Sequence, residues 1–239
     1  MKTQAKLYAI GTGPGASDLI TVRGARLLSS VSVLYTPAGK KGGDSLAFSI
    51  VKEYVGEQVE VKTRHFPMSN NGDEKQRAWD SIADEIKGDI ESGKSVAFIT
   101  LGDTMLFSTW VFLLERLIEH IAIEVVPGIS SYSAISSQAL FPLAMEKQQM
   151  AVVPCTASED KIRQSLTDYE CVVLMKVYGR FNRIKALLSE LALLPHSLLM
   201  ANATLENEIV CRDLNEITDE QALPYFSTII VNKSQRVPL

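Results

Sequence analysis

GTGPGASDLITVRG, from Gly11 to Gly24, says most about how this chain folds. It follows an apolar run, Leu7 to Ile10, and leads into a segment that reads as a helix. A strand, a glycine loop and a helix in succession favour ligand binding, because glycines let backbone N–H groups approach a ligand and the helix N-terminus adds partial positive charge. We therefore predict a binding loop here, with Asp18 capping a helix that starts near Leu19.

The spacing of Gly11, Gly13 and Ala16 nearly matches the dinucleotide pattern G-x-G-x-x-G/A, which favours a nicotinamide or flavin enzyme. Two details weigh against that interpretation. The Pro14-Gly15 turn delays the helix, so its first turn does not point at a pyrophosphate. The next apolar run ends in Thr36-Pro37, without the acidic residue that holds a ribose. A dinucleotide-dependent oxidoreductase therefore stands only as an alternative.

Composition narrows the function classes further. The chain has 239 residues, 46% of them hydrophobic, and a net charge of −4. This acidic balance, without a Lys/Arg stripe, argues against nucleic-acid binding. No run reaches the ~18 apolar residues of a membrane span, so we expect a soluble cytoplasmic protein. The three cysteines lack metal-ligand spacing, and we predict no metal site.

Apolar strand-like runs alternate with helical segments, which predicts two α/β domains, the first with a mostly parallel sheet. The domains are expected at residues 1–125 and 126–239. Predicted strands are 7–10, 31–35, 58–62, 95–101, 121–126, 150–153, 171–175, 197–201 and 226–231. Predicted helices are 21–30, 45–54, 74–92, 105–120, 130–140, 159–167 and 180–193.

Three loops directly follow predicted strands, at the edge where open α/β sheets bind ligands. They are Gly11 to Asp18, Leu101 to Thr104, and Val125 to Ser131. In this order they resemble the signatures of the tetrapyrrole (corrin/porphyrin) methyltransferases: GxGPGxxxLLTxxA, a GDP loop, and a VxPGxSS turn. The chain departs from that family at Thr104, where Pro is usual, and at Phe107, where Tyr is common.

The resemblance implies two α/β domains, the second with a mixed sheet, and a cofactor cleft between them. It also implies an S-adenosyl-L-methionine-dependent C-methyltransferase that releases S-adenosyl-L-homocysteine and acts as a homodimer. Within the family, the segments 37–45, 66–68 and 98–109 most resemble members that methylate C(20) of precorrin-2 or cobalt-factor II in cobalamin and porphyrin biosynthesis. The alternatives are a family member with a different target carbon and a tetrapyrrole carrier without turnover.

The resemblance also assigns cofactor contacts to matching positions of this chain. They are Pro14, Leu101, Gly102, Asp103, Leu106, Ser130, Ser131, Met175 and Ala203. From the residues alone, Asp103 either holds the positive end of the cofactor or caps the following helix, and Ser130 and Ser131 either bind the cofactor or cap a helix.

A tetrapyrrole substrate carries peripheral carboxylates, which need cations for charge-assisted hydrogen bonds. We predict Lys40, Lys41, Arg23 and Arg64 for this role, with the glycine-flanked Lys40-Lys41 pair as the strongest candidate. The sequence assigns no catalytic base.

Overall fold

The computed structural model describes residues 5–39, 43–67, 72–218 and 221–237. The chain divides into two compact units, Met1–Ser130 and Ser131–Leu239. Across the described ranges, no helix combines the length and apolar character needed to cross a membrane.

The first unit is built on a five-stranded sheet in which every pair is parallel, in the order β3-β2-β4-β1-β5. Its strands are β1 (Leu7–Gly11), β2 (Val33–Ala38), β3 (Glu60–His65), β4 (Val96–Thr100) and β5 (Ile123–Val126). The central strands β1 and β4 are buried along their whole length, as expected for a parallel sheet covered on both faces.

Helices cover the two faces of this sheet. They are α1 (Val22–Leu28), α2 (Leu46–Val51), α3 (Gly72–Glu91) and α4 (Trp110–Leu117). Strand residues alternate between the faces: Leu7 packs in the core under α3 and α4, while Tyr8 packs in the core under α1 and α2. This two-residue period is the normal consequence of strand geometry.

The second unit carries a mixed sheet in the order β6-β7-β10-β8-β9. Its strands are β6 (Met150–Pro154), β7 (Cys171–Met175), β8 (Ser197–Ala201), β9 (Ile209–Cys211) and β10 (Ser227–Asn232). Strands β6 and β7 are parallel, and the other pairs are antiparallel. Helices α5 (Ser131–Ala139), α6 (Glu159–Asp168) and α7 (Phe181–Glu190) complete the unit. The predicted fold class is confirmed.

The start of the first helix corrects one prediction. Asp18 does not cap it, because residues Ser17–Leu19 form a single 3-10 turn. The helix begins only at Val22, and the hydroxyl of Thr21 accepts a hydrogen bond from the N–H of Gly24 at 3.1 Å. The hydroxyl of Thr21 therefore satisfies one of the free N–H groups at this helix end.

Three further details differ from the predicted elements. Helix α4 is shorter than predicted because Phe107 has a φ of 50°, which a right-handed helix does not accommodate. The short strand β9 was not predicted. The units divide after Ser130, whereas the expected domains divide after residue 125; the turn at Gly128 belongs to the first unit, where it packs on Gly11.

Candidate functional site

The three predicted loops meet at one edge of the first unit's sheet. Strand β1 lies between β4 and β5, and all three run in the same direction. Their carboxyl ends therefore lie side by side, and the loops after Gly11, Thr100 and Val126 leave from that edge. Open parallel sheets bind small molecules at this edge.

Close backbone packing between the loops requires glycine at two positions. A Cβ atom on Gly128 would lie 2.1 Å from the carbonyl oxygen of Gly102, and one on Gly11 would lie 2.6 Å from the same oxygen. Both distances are shorter than any contact that a real Cβ atom makes. These glycines therefore let three main chains converge where side chains would hold them apart.

Hydrogen bonds fix the first loop against the second. Gly13 and Gly102 exchange two backbone hydrogen bonds, of 3.2 and 2.8 Å. The N–H of Thr12 donates to the carbonyl of Thr100 at 2.9 Å, and the Thr12 hydroxyl donates to the same oxygen at 3.2 Å. Pro14, the residue after Gly13, is buried.

Asp103 connects the second loop with the third. Its Oδ1 accepts from the N–H of Met105 at 2.9 Å, and its Oδ2 accepts from the N–H of Gly128 at 3.0 Å. It does not cap helix α4, whose first residue, Trp110, donates its N–H to the hydroxyl of Ser108 at 3.1 Å. The capping alternative for Asp103 is therefore wrong for this helix.

The residue after Asp103 marks a local departure from the family signature. Thr104 is fully buried, and its hydroxyl has no hydrogen-bond partner within the described ranges. A buried hydroxyl without a partner costs stability, and a proline at this position would not carry one.

The surroundings of Gly102 suit a nucleoside. Gly102 has a φ of 69°, and the space where its side chain would lie is open. In the segments that follow β4 and β5, Met105, Phe107 and Ile129 expose 54%, 44% and 36% of their surface. Backbone polar groups beside apolar side chains are the usual lining of small-molecule sites, and they fit the adenosine part of S-adenosyl-L-methionine.

The predicted cofactor residues fall into two sets. One set lies in the first unit, in the segments that follow β1, β4 and β5: Pro14, Leu101, Gly102, Asp103, Leu106 and Ser130. Ser131 is the first residue of α5 in the second unit. Met175 and Ala203 belong to one apolar cluster that also includes Tyr132 and Ile135 of α5.

Sheet register explains why Met175 and Ala203 lie close together. Thr228 of β10 pairs with Met175 on one side and with Met200 on the other, so the ends of β7 and β8 lie at one edge. Ala203 follows β8 between Asn202 and Thr204, whose φ values are 51° and 67°. Such left-handed residues are uncommon outside glycine and concentrate at functional sites.

The predicted substrate cations are placed less favourably. Lys40 and Lys41 lie outside the described residues. Arg23 pairs with Glu124 of β5, and Arg64 pairs with Glu85 of α3 through its Nε at 2.7 Å. The hydrogen bond to Glu85 raises the pKa of Arg64. In the structure, both guanidinium groups therefore have carboxylate partners within the first unit.

Sequence reasoning did not anticipate the link between Asp103 and Gly128. The two residues are 25 positions apart, and they belong to different motifs. A signal was present in the spacing, since Gly13, Gly102 and Gly128 each lie two residues after the last residue of a strand. Glycines at the ends of neighbouring parallel strands indicate that their main chains approach one another.

Comparison with known proteins gives the same classification along most of the chain. The family model of the Tetrapyrrole (Corrin/Porphyrin) Methylases matches residues 6–217. The cobalt-precorrin-2 C(20)-methyltransferase of Salmonella typhimurium is 57% identical over 228 residues, which cover 95% of this chain and 96% of that protein.

Two solved structures share the fold. A cobalt precorrin-4 methyltransferase, CbiF, has a TM-score of 0.73 at 21% identity, with 95% of each chain covered. The uroporphyrin-III C-methyl transferase of Thermus thermophilus, solved with S-adenyl homocysteine, has a TM-score of 0.66 at 20% identity, with 96% of this chain and 98% of that chain covered.

Two α/β units, with glycine turns gathered at the carboxyl edge of a parallel sheet, define a small-molecule enzyme of the open α/β class. The chain belongs to the tetrapyrrole (corrin/porphyrin) methylase family. The family resemblance predicted from the three loop motifs is confirmed.

Proposed function

We propose that this chain transfers a methyl group from S-adenosyl-L-methionine to C(20) of precorrin-2 or cobalt-factor II in cobalamin biosynthesis. The observation that carries the proposal is the 57% identity, over 95% of the chain, to a cobalt-precorrin-2 C(20)-methyltransferase. Because that relative is named for a cobalt-containing substrate, we expect the cobalt-loaded macrocycle to be the better substrate here.

The first unit offers the main-chain groups for the cofactor. We propose that the backbone of Leu101, Gly102 and Asp103 contacts the cofactor, with Pro14, Leu106 and Ser130 beside it. When bound, S-adenosyl-L-methionine supplies a methyl group that is already electrophilic on its sulfonium. The residues then have to hold and orient the reactants, and such positioning contributes roughly 7 to 11 kcal/mol in well-oriented reactions.

The remaining assignments stay predictions that accompany this proposal. They are cofactor contacts from Ser131, Met175 and Ala203, carboxylate contacts from Lys40, Lys41, Arg23 and Arg64, a homodimer, and a cytoplasmic location. The ion pairs of Arg23 and Arg64 mean that either residue would have to exchange its carboxylate partner to hold a substrate.

The direct test is an anaerobic incubation of the purified chain with S-adenosyl-L-methionine labelled with ¹³C in its methyl group. Precorrin-2 and cobalt-factor II are supplied separately, and mass spectrometry and ¹³C NMR locate the label. We expect a gain of one methyl group at C(20) over many turnovers. The Gly88→Ala variant, at an exposed position of helix α3 where a Cβ meets open space, should retain the rate.

Each other outcome contradicts the proposal in a different way. A label on another carbon identifies a different member of the family. Binding of the macrocycle without turnover identifies a carrier. A change in the fluorescence of reduced nicotinamide on mixing, without binding of S-adenosyl-L-homocysteine, favours the oxidoreductase alternative.

A further inference from the structure

The side chain of Asp103 has a specific task within the three-loop cluster. Its two carboxylate oxygens accept from two different loops: Met105 N–H at 2.9 Å in its own loop and Gly128 N–H at 3.0 Å in the loop after β5. The first hydrogen bond holds the turn after β4. The second spans the sheet edge between two strands that are separated by β1.

The hydrogen bond between Asp103 and Gly128 is called the bridge below. Its Gly128 end lies where the loops are packed most tightly. The Cα of Gly128 faces the carbonyl of Gly102 so closely that no side chain fits between them. On its other side, Gly102 exchanges backbone hydrogen bonds with Gly13. The main chain at Gly102 is therefore fixed by the first loop through Gly13 and by the third loop through Asp103 and Gly128.

We infer that Asp103 is a positioning residue. Its carboxylate holds the main chain of Leu101 and Gly102 in the conformation that receives the nucleoside, and its negative charge does not serve as a direct partner of the cofactor's cationic groups. This inference rests on the proposed function, because it concerns how that cofactor is held. It goes beyond the cofactor contact that the family resemblance assigns to Asp103.

The chemistry of the group explains why an aspartate stands at this position. An ionised carboxylate accepts hydrogen bonds on both oxygens, and such charge-assisted bonds are stronger than neutral ones. Asparagine has the same shape but accepts on one atom only, and its NH₂ group would face a backbone donor. Serine is shorter and offers one oxygen, which suits the local turn but does not span two loops.

The test compares wild type with Asp103→Asn and Asp103→Ser by calorimetry with three probes. S-adenosyl-L-methionine carries a sulfonium and an ammonium, S-adenosyl-L-homocysteine carries only the ammonium, and 5′-methylthioadenosine carries neither. Because the segments after β4 and β5 expose the apolar side chains of Met105, Phe107 and Ile129, we expect them to contact the nucleoside that all three probes share. Both variants should then bind all three probes more weakly, with affinities reduced by a similar factor of about tenfold to a hundredfold.

A second measurement follows the bridge itself in the ligand-free protein. Amide hydrogen exchange at Gly128 should be faster in both variants, and circular dichroism should show that they remain folded. Asp213→Asn is the matched control. Like Asp103, Asp213 accepts a hydrogen bond from the N–H two residues further along the chain, that of Asn215 at 2.9 Å, but it lies in the second unit. This control should leave all three affinities unchanged.

Other outcomes overturn the inference. If S-adenosyl-L-methionine or S-adenosyl-L-homocysteine loses affinity and 5′-methylthioadenosine does not, Asp103 contacts a cationic group directly. If none of the affinities changes, the bridge is only structural. If wild type binds none of the probes, the proposed function fails, and the exchange rate at Gly128 still tests the bridge.

Discussion

At the scale of single residues, Gly128 is where the candidate site tolerates least change. We expect Gly128→Ala to abolish measurable binding of S-adenosyl-L-homocysteine, because its Cβ would lie 2.1 Å from the Gly102 oxygen. Relief of this overlap displaces the loop that Asp103 holds, and overpacking of this kind costs about 1 to 3 kcal/mol. Calorimetric titration and urea unfolding measure the two effects.

The matched control for this substitution is Gly88→Ala. Gly88 lies within helix α3, where a Cβ meets open space, so alanine should stabilise the protein by about 0.5 to 1 kcal/mol and leave binding intact. Retained affinity in Gly128→Ala would contradict the close packing of the three loops.

At the scale of secondary-structure elements, a buried ionic cluster attaches α3 to the sheet. Lys62 of β3 is 15% exposed, and its Nζ lies 2.6 Å from Asp89 Oδ2 on α3. Tyr35 of β2 donates its hydroxyl to the same oxygen at 2.7 Å. Lys62→Met leaves this carboxylate with one ammonium partner fewer, so we expect the free energy of unfolding to fall by about 3 kcal/mol.

Lys87→Met is the control on the same helix. The Nζ of Lys87 lies 3.4 Å from Oδ1 of Asp84, one turn earlier in the same helix. The Asp84 side chain is 76% exposed. Such pairs contribute about 0.2 to 0.5 kcal/mol, so urea unfolding should barely change. Equal losses for the two variants would mean that burial does not strengthen the Lys62 contact.

Hydrophobic patterning predicted most elements, and the exceptions have identifiable causes. Strand β7 was predicted with its observed bounds because apolar Cys171–Met175 is flanked by polar residues. Helix α4 begins at Trp110 and not at residue 105. The prediction began too early because the apolar residues Met105 and Phe107 extend the helical pattern, although they are partly exposed and lie before the helix. Strand β9 has three residues, too few for a period to be recognised.

The candidate site was predictable as a set of loops, but not in its internal connections. Each strand–glycine–helix segment identifies a loop by itself, and parallel strand order brings the loops together. The partner of Asp103 depends on which strand lies beside which, and local spacing does not contain that information. For the same reason, the sequence did not reveal that Arg23 and Arg64 are ion-paired with Glu124 and Glu85.

At the scale of the whole molecule, the buried cluster predicts how stability depends on pH. Burial alone would raise the pKa of Asp89, but hydrogen bonds from Lys62, Lys94 and Tyr35 outweigh it and lower the pKa to about 2. The unfolded chain has the ordinary value of 3.8 and binds a proton first as the pH falls. The contribution of Asp89, about 2 kcal/mol, is therefore complete above about pH 4 and is lost as the pH falls towards 2.

Tryptophan fluorescence can follow this loss, because both tryptophans, Trp79 and Trp110, lie in the first unit with Asp89. We expect Asp89→Asn to be less stable at neutral pH and to show a shallower fall in unfolding free energy between pH 4 and pH 2, since asparagine does not titrate. Asp84→Asn, at an exposed position of the same helix, should keep the wild-type slope. A full wild-type slope in Asp89→Asn would show that other carboxylates cause the acid sensitivity. The Arg64 hydrogen bond, which lowers the pKa of Glu85, makes that residue the next candidate.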